Sequence, residues 1–188
     1  PLILTGLAAA VAFRAHFYNI GAEGQLYLGA LAAVAIAGGG WSLPPAALFP
    51  LMILAGMAAG ALWLLVPAVA RTRLGVDEVV TTLLLNFVAL LFVSMMLDGP
   101  MKDPSAMGWP QSVAIPDELA FGKLLERSRV HTGLLFAIVL GIGLRIVERH
   151  TTLGYEMRAV GANAKAARFA GLSVHRVVLK TAVLSGAL

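Results

Sequence analysis

Long apolar runs, separated by short polar or basic segments, form most of this chain. The runs cover residues 1–13, 26–40, 46–70, 78–97, 132–147 and the stretch from Val174 onward. A helix needs about 20 apolar residues to cross the hydrocarbon core of a bilayer. We therefore predict an all-α fold, a polytopic transmembrane helix bundle with about six full or partial spans. It forms a single domain over residues 1–188.

Both ends of the chain lie inside apolar runs. The first run, residues 1–13, is too short for a complete span, and no initiator methionine or basic leader precedes it. We therefore expect the chain to be a fragment of a longer membrane protein.

Small residues recur along two of the runs. Gly29, Ala33 and Ala37 are spaced by four, and Gly56 and Gly60 form a G-x-x-x-G pair. Small residues at this spacing let transmembrane helices approach closely. We interpret both patterns as helix packing rather than chemistry.

Composition supports a membrane location. Hydrophobic residues make up 59% and charged residues 13% of the chain, and mean hydropathy is +0.85, whereas soluble domains carry about 25% charged residues. The net charge of +4 does not indicate a nucleic-acid partner, because the basic residues lie between the apolar runs rather than in one patch. The chain has no cysteine, which excludes disulfides and thiolate metal sites.

Alternating the spans distributes the basic residues unequally over the two sides of the membrane. One side receives four of them, Lys102, Lys123, Arg127 and Arg129. The other receives ten: Arg14, Arg71, Arg73, Arg145, Arg149, Arg158, Lys165, Arg168, Arg176 and Lys180. The positive-inside rule makes the second side cytoplasmic. Residues 148–173 then form a cytoplasmic loop, and residues 98–130 an external one.

A polar, glycine-containing segment separates the first two runs. It extends from Phe17 to Gln25 and offers the hydrogen-bonding side chains of Asn19, Glu23 and Gln25. Irregular backbone at membrane depth is tolerated where it is buried in protein or lines a cavity. We therefore consider two interpretations: a broken helix beside a solute path, or an ordinary turn with capping side chains.

Polar side chains also extend into the run over 78–97. Asp77 is positioned to cap this helix, while Glu78, Thr82 and Asn86 are spaced by four and form a polar stripe. An asparagine well inside a span is costly against lipid. Asn86 is therefore expected either to bond a neighbouring helix or to line a path for a neutral, hydroxylated solute.

The external loop over residues 98–130 contains four of the nine prolines. Loops of this length are commonly functional. It could receive an external protein, or it could simply cover the helices. Alternation of apolar and charged residues over 121–127 suggests a short interfacial helix at its end.

The cytoplasmic segment contains one short predicted helix. Asn163 is a good N-cap and Gly171 a good C′ residue, which predicts a helix over 164–170. Ala166, Phe169 and Ala170 then share one face, opposite Lys165 and Arg168. The helix is either a docking element for another protein or a connector lying on lipid headgroups.

Three motifs carry a resemblance to a known family. They are F-Y-N-I-G-A-E-G-Q at 17–25, G-V-D-E-V-V-T-T-L-L-L-N at 75–86 and T-T-L-G-Y-E-M-R-A-V-G-A-N-A-K-A-A-R-F-A-G-L at 151–172. In this order they resemble ABC importer permeases of the nucleoside, simple-sugar and branched-chain amino acid family, most of all its nucleoside and simple-sugar branch. The third motif is similar to the coupling loop of such permeases.

The resemblance implies a multi-pass subunit in the inner (plasma) membrane of a bacterium. It would move a small polar solute inward by alternating access, with a nucleoside as the first candidate and a ribose-like sugar or a branched-chain amino acid as alternatives. The implied partners are cytoplasmic ABC ATPase subunits, a second identical or homologous permease, an external substrate-binding protein and the lipid bilayer. ATP and Mg would be bound by the ATPase, with no cofactor in this chain.

The resemblance also assigns candidate residues. The ATPase-coupling set is Gly154, Arg158, Gly161, Asn163, Ala166, Ala167, Arg168, Phe169 and Gly171. The two alanines would allow close approach to the ATPase, and the two arginines would pair with its acidic groups. The candidate substrate pathway comes instead from the polar segment and the polar stripe described above, and comprises Asn19, Glu23, Gln25, Glu78, Thr82 and Asn86.

The sequence lacks several motifs that are typical of enzymes. The sequence has no P-loop, no H-E-x-x-H pair and no G-x-S-x-G elbow, and Ser185-Gly186 is interpreted as a packing pair. Two other classes compete with the importer. An ion-driven transporter is disfavoured because Glu23, Asp77 and Glu78 lie at the ends of spans rather than in the middle. A membrane scaffold without a path would be excluded by substrate-stimulated ATP hydrolysis in the complex.

Overall fold

The computed structural model describes residues 1–41, 43–124 and 131–188, which form an all-helical bundle. The helices are α1 (Leu2–Arg14), α2 (Ala22–Ala37), α3 (Pro45–Val69), α4 (Glu78–Asp98), α5 (Gly133–His150), α6 (Thr152–Ala162), α7 (Ala164–Phe169) and α8 (Val174–Gly186). A π-helical turn, Ala70–Leu74, extends α3, and a 3₁₀ turn covers Asp117–Leu119. The predicted all-α membrane bundle is confirmed.

Two helices are long and apolar enough to cross a bilayer by themselves. They are Pro45–Leu74, which includes the π-helical turn, and Glu78–Asp98. The outward face of α4 exposes Leu84, Phe87 and Leu91. In a membrane protein such a face is suited to contact with lipid, whereas the opposite face of α4 carries the polar stripe.

Glycines bring three helices together at the centre of the bundle. A Cβ added to Gly29 of α2 would lie 3.2 Å from the carbonyl oxygen of Gly56 on α3. A Cβ added to Gly186 of α8 would lie 2.8 Å from the Cα of Ala61, also on α3. The predicted packing role of the small residues is therefore confirmed, and it explains why α2 and α8 lie directly against α3.

The buried core consists of two adjoining clusters. The first joins α1 to the C-terminal helices through Val11, Ala15, Leu144, Met157, Val160, Ala167 and Val177. The second joins α1, α3 and α8 through Ala12, Phe17, Leu64, Ala68, Val178 and Ala182. Helices α1 and α8 contribute to both, so movement of either would disturb the whole bundle.

Local capping sets several helix ends. The carboxylate of Asp77 accepts hydrogen bonds from the backbone N–H groups of Val79 and Val80, at 2.8 and 3.2 Å, as an N-cap should. Gly75, with φ of 69°, turns the chain after the π-helical turn. The predicted cap at Asp77 is thus confirmed.

The bundle has two chemically different ends. We call the end containing Arg14, Arg71 and helices α6 and α7 the basic end, and the end covered by residues 99–124 the loop end. At the loop end, an isolated bridge joins Lys102 to Ser112. The side chain and backbone N–H of Ser105 both donate to Asp103, which lowers the pKa of that carboxyl. Of the interfacial helix expected over 121–127, residues 121–124 are not helical, and Lys123 instead forms an isolated bridge with His131. Residues 125–127 lie outside the described part of the chain.

Several predicted boundaries need correction. Helix α2 begins at Ala22, inside the segment expected to be irregular, and α5 continues to His150. The predicted cytoplasmic segment contains a second helix, α6, which sequence analysis missed. Polar residues interrupt its apolar pattern, and only the side facing the bundle is buried, at Gly154, Met157, Val160 and Gly161.

Candidate functional site

The polar stripe of α4 holds the segment that leads into α2. The backbone N–H groups of Tyr18, Ile20 and Gly24 donate to the side chains of Glu78 (3.4 Å), Thr82 (3.3 Å) and Asn86, respectively. The first N–H groups of a helix have no partner within that helix, and the N–H groups of irregular chain before it also need acceptors from elsewhere. Three side chains on successive turns of α4 supply those partners. We call this region, together with the amide cluster described below, the polar junction.

Two glycines permit this close approach. A Cβ on Gly21 would lie 2.8 Å from the carbonyl oxygen of Thr82. A Cβ on Gly24 would lie 2.7 Å from the Oδ1 of Asn86 and 3.0 Å from the Cβ of Ala89. Any larger residue would push α2 away from α4 and break the hydrogen bonds of the stripe.

A cluster of neutral side chains lies on the inner side of the polar junction. The Nδ2 of Asn19 donates to the Oε1 of Gln25 and to the Oγ of Ser185, both at 3.1 Å. The Nε2 of Gln25 donates back to the Oδ1 of Asn19 at 2.9 Å. The Oγ of Ser185 donates to the carbonyl oxygen of Ala8 at 2.7 Å. Asn19 and Ser185 are 2% and 1% exposed, so this cluster fixes α1, α2 and α8 to one another.

The charged members of the stripe have specific partners. Glu78 forms an ion pair of 2.7 Å with Arg71 and is 9% exposed. Glu23 accepts a hydrogen bond of 3.3 Å from the Nδ2 of Asn86. Asn86 therefore makes an interhelical hydrogen bond, one of the two alternatives predicted for it. Its role in a solute path stays a prediction.

Sequence analysis missed two members of this region. The sequence indicates Ser185 only as half of a packing pair and Arg71 only as one of the basic residues on the cytoplasmic side. Gly186 does pack closely against α3, but Ser185 bonds both Asn19 and Ala8. A polar residue in an apolar helix was the available signal for Ser185, whereas its partners follow only from the tertiary structure.

A cavity of about 540 Å³ extends from the polar junction toward the loop end. Gln25 and Ser185 line it at the junction, and its other walls are almost entirely apolar. At the loop end Phe121 lies against Phe49 and Phe136, with ring centroids 5.4 and 6.3 Å apart. The polar junction thus lies at one end of the cavity and an aromatic cluster at the other.

Helices α6 and α7, with the turns that flank them, form a second candidate site over residues 151–171, which we call the docking segment. The Oδ1 of Asn163 accepts hydrogen bonds of 3.0 Å from the N–H groups of Lys165 and Ala166. Gly171 has a φ of 85°, in the left-handed region that favours glycine. The predicted cap and C′ residues are thus confirmed, and α7 ends at Phe169, before the predicted position 170.

The faces of α7 differ from the expectation at one position. Phe169 is 98% exposed, and Ala166 and Arg168 are also exposed. Ala167 is only 5% exposed and packs in the core cluster with Val160 and Val177. The expectation that Ala167 offers a surface for close approach is therefore wrong, because its methyl group fixes α7 to the bundle.

Two glycines and one arginine fix the docking segment to the rest of the chain. A Cβ on Gly154 would overlap the carbonyl oxygen of Glu148, and one on Gly161 would overlap that of Arg14. Arg158 donates to the same carbonyl of Glu148. Arg158 therefore has one partner within the chain, although its side chain is exposed, as is that of Arg168. The expected pairing of both arginines with acidic groups of a partner stays a prediction.

Comparison with known proteins gives a consistent result over the whole chain. A family model described as branched-chain amino acid transport system / permease component matches residues 1–188. A glucose ABC transporter permease protein of Haloferax volcanii is 43% identical over 197 residues, covering 100% of this chain and 51% of the relative. A guanosine ABC transporter permease protein of Bacillus subtilis is 34% identical, covering 100% of this chain and 54% of the relative.

A third relative agrees with these two. A nucleoside ABC transporter permease protein of Lactococcus lactis is 33% identical, covering 100% of this chain and 54% of the relative. The chain thus spans about half the length of the curated relatives that it matches. No solved structure matches it. The substrates named for these relatives agree with the nucleoside and simple-sugar branch indicated by the sequence motifs.

Proposed function

Because the chain belongs to the branched-chain amino acid transport system / permease component family, we propose that it is the membrane-spanning part of an ABC importer for a nucleoside. The importer would lie in the plasma membrane as a multi-pass protein, with the basic end in the cytoplasm and the loop over 98–130 outside. Two such permeases, identical or homologous, would pair, with two ATPase subunits at their cytoplasmic side and a substrate-binding protein outside.

One observation carries the proposed coupling to an ATPase. Phe169 is almost fully exposed at the tip of a capped helix whose opposite face, at Ala167, is buried in the core. An exposed aromatic side chain is a typical anchor for a partner's pocket. Because α7 is fixed by Ala167 and packed against α8 through the core, a pull on Phe169 would act on the bundle rather than on a loose loop.

The exposed basic residues agree with a protein partner of opposite charge. Lys165 and Arg168 flank Phe169 and are exposed. We propose that the ATPase presents an apolar pocket for Phe169 with acidic groups at its rim. A connector lying on lipid headgroups, the alternative for this segment, would not need so rigid an attachment to the core.

The cavity supports a path for a neutral solute. Its volume of about 540 Å³ lies in the range typical of small-molecule sites, about 300–1,000 Å³. Its lining contains neutral polar groups at Gln25 and Ser185 and aromatic rings at Phe121 and Phe136. We propose that the polar junction closes the inner end of this path, so that its opening releases solute toward the basic end.

The same lining favours a nucleoside over a simple sugar. A nucleobase can lie flat against apolar and aromatic side chains. A simple sugar carries many hydroxyl groups, and burying each of them without a hydrogen-bond partner costs free energy. The glucose permease of Haloferax volcanii, at 43% identity, is the specific observation that favours a sugar instead. A simple sugar is therefore the second candidate.

Uptake into proteoliposomes tests this proposal. The full-length permease would be reconstituted with its ATPase and its binding protein, and uptake of labelled guanosine and labelled glucose would be measured with and without ATP. The proposal expects ATP-dependent uptake of guanosine. ATP-dependent uptake of glucose alone would establish the sugar alternative, and uptake that requires an ion gradient but no ATP would refute the importer.

Cysteine labelling tests the proposed topology. Residues 1–188 contain no cysteine, so a single thiol introduced among them, in a full-length permease whose other cysteines, if any, are replaced by serine, reports on one position. In intact cells that produce the permease without its ATPase, Met107→Cys in the loop should react with a membrane-impermeant maleimide, and Phe169→Cys should react only after the cells are broken, since both side chains are 98% exposed. The reverse pattern would refute the orientation.

A further inference from the structure

We propose that Arg71 is the positioning residue through which movement of the docking segment reaches the polar junction. The inference rests on the proposed function and adds to it a route from the ATPase contact to the inner end of the cavity. Neither the motifs of the sequence nor the family relationship singles out this residue.

Arg71 joins the two segments of the junction with three contacts. Its Nη1 lies 2.7 Å from the Oε1 of Glu78, at the start of α4. The same nitrogen donates to the carbonyl oxygen of His16 at 2.6 Å. Its guanidinium carbon lies 5.6 Å from the ring centroid of the buried Phe17. A planar guanidinium with several donors can make these contacts at once, which a lysine ammonium cannot reproduce.

Glu78 continues the connection into the polar junction. The carboxylate oxygen that pairs with Arg71 also accepts the backbone N–H of Tyr18. Releasing Arg71 would therefore weaken the hydrogen bond between Glu78 and Tyr18, which is the first of the stripe. The hydrogen bonds of Thr82 and Asn86 lie next along α4 and would be disturbed in turn. The two members of this ion pair thus bind the backbone on either side of Phe17: Arg71 binds the carbonyl of His16, and Glu78 binds the N–H of Tyr18.

The docking segment touches the same stretch from its other side. A Cβ on Gly161 would overlap the carbonyl oxygen of Arg14 and lie 3.5 Å from the Cα of Ala15. A cavity of about 310 Å³ separates the end of α6 from the Arg71 region, with His16, Thr72 and Val160 in its lining. Tight contact at Gly161, with free space beside it, allows α6 to displace the turn at Ala15 and His16.

The backbone around Arg71 can absorb such a displacement. Arg71 lies in the π-helical turn, Ala70–Leu74, and Gly75 follows in the left-handed region with φ of 69°. π-Helical turns mark places where the regular hydrogen-bond ladder is already altered. The end of α3 can therefore move relative to α4 without disrupting the apolar span before it.

The test uses the full-length permease in proteoliposomes with its ATPase and binding protein, and compares Arg71→Gln and Glu78→Gln with Arg73→Gln. Arg73 lies in the same turn, is exposed and has no ion pair among the described residues, so it controls for loss of a positive charge. The measurements are solute transported per ATP hydrolysed, the rate of ATP hydrolysis and the thermal unfolding midpoint in detergent.

We expect Arg71→Gln and Glu78→Gln each to lower transport per ATP about tenfold, a coupling of ordinary size, because ATP is still hydrolysed while less of the movement reaches the polar junction. Arg71→Gln should also lower the unfolding midpoint, since it leaves the buried carboxylate of Glu78 without its cation, whereas Glu78→Gln removes that charge and should lower the midpoint less. Arg71→Lys should recover transport in part. The exchanged pair, Arg71→Glu with Glu78→Arg, should recover less, because a carboxylate at position 71 cannot donate to the carbonyl of His16.

Two results would overturn the inference while leaving the proposed function intact. Arg71→Gln could match Arg73→Gln in transport per ATP, or it could lower transport and ATP hydrolysis in the same proportion, which would show a merely structural role. If the unmodified complex took up no solute with ATP, the proposed function would fail, and this inference with it.

Discussion

Asn19→Leu tests whether one amide side chain holds the polar junction together. The side chain of Asn19 makes four hydrogen bonds, two with Gln25, one with Ser185 and one with the backbone N–H of Gly21 at 3.1 Å. Leucine has a comparable volume but no polar atoms. The substitution therefore removes the hydrogen bonds while it largely retains the packing.

The expected loss follows from the groups that remain without a partner. These are the Oε1 and Nε2 of Gln25 and the N–H of Gly21. A buried polar group without a partner costs about 1–3 kcal/mol. The cavity beside Gln25 gives water access to its amide, which favours the lower end of that range. The free energy of unfolding should therefore fall by about 3 kcal/mol for these groups together. Four hydrogen bonds at about 0.6 kcal/mol each, the average inside membrane proteins, give a similar sum.

Gln25→Leu is the matched control. Asn19 then keeps Ser185 and the N–H of Gly21 as partners, so neither end of its amide is left unpaired. We expect a loss of only about 1 kcal/mol. In the double variant the amide of Gln25 is also absent, so only the N–H of Gly21 lacks a partner. The double variant should therefore be more stable than Asn19→Leu alone.

Denaturant titration of the purified full-length permease in detergent micelles, followed by tryptophan fluorescence, measures these differences. The chain supplies three tryptophans as probes. Equal losses in the two single variants, or a double variant whose loss equals their sum, would refute the assignment of Asn19 as the central group.

Two further predictions concern the docking segment. Phe169→Ala should abolish most ATP-driven uptake without changing the unfolding midpoint, because the ring is 98% exposed and contributes little to the fold; unchanged uptake in proteoliposomes would contradict its role as an anchor. Ala167→Glu should destabilise the permease by about 3 kcal/mol or more, since it places a carboxylate in the core cluster, whereas Ala166→Glu on the exposed face should lower uptake without lowering the midpoint measured by thermal unfolding.

The sequence predicts those features of the fold that are determined by residues close together along the chain. Apolar runs predicted α3 and α4 almost to the residue, and the caps at Asp77 and Asn163 have the predicted hydrogen bonds. The spacing of small residues also predicts that Gly29 and Gly56 lie at helix contacts, although not that they contact each other. Each of these features is local, or repeats at the helical period, and is therefore visible in one sequence.

The features that the sequence does not predict depend on the tertiary structure. Ala167 faces inward because α7 turns back against α8 and the core, and nothing in the sequence fixes that rotation. Arg158 bonds the end of α5 because α6 folds back at residue 151. Ser185 and Arg71 gain their roles from partners elsewhere in the fold, Asn19 and Glu78 among them. Hydrophobic patterning does not indicate such pairings.

The distribution of charge in the polar junction bears on the source of energy for transport. The groups of the inner cluster, Asn19, Gln25 and Ser185, are neutral. The two carboxylates of the junction lie outside this cluster and have partners, Glu78 in Arg71 and Glu23 in the amide of Asn86. A transporter driven by an ion gradient needs a group whose protonation or ion binding changes during the cycle. A neutral cluster can instead be opened by displacement, because its hydrogen bonds exchange for water without any change in charge. This arrangement favours energy delivered mechanically from the basic end, where the docking segment lies, over energy taken from ions within the path.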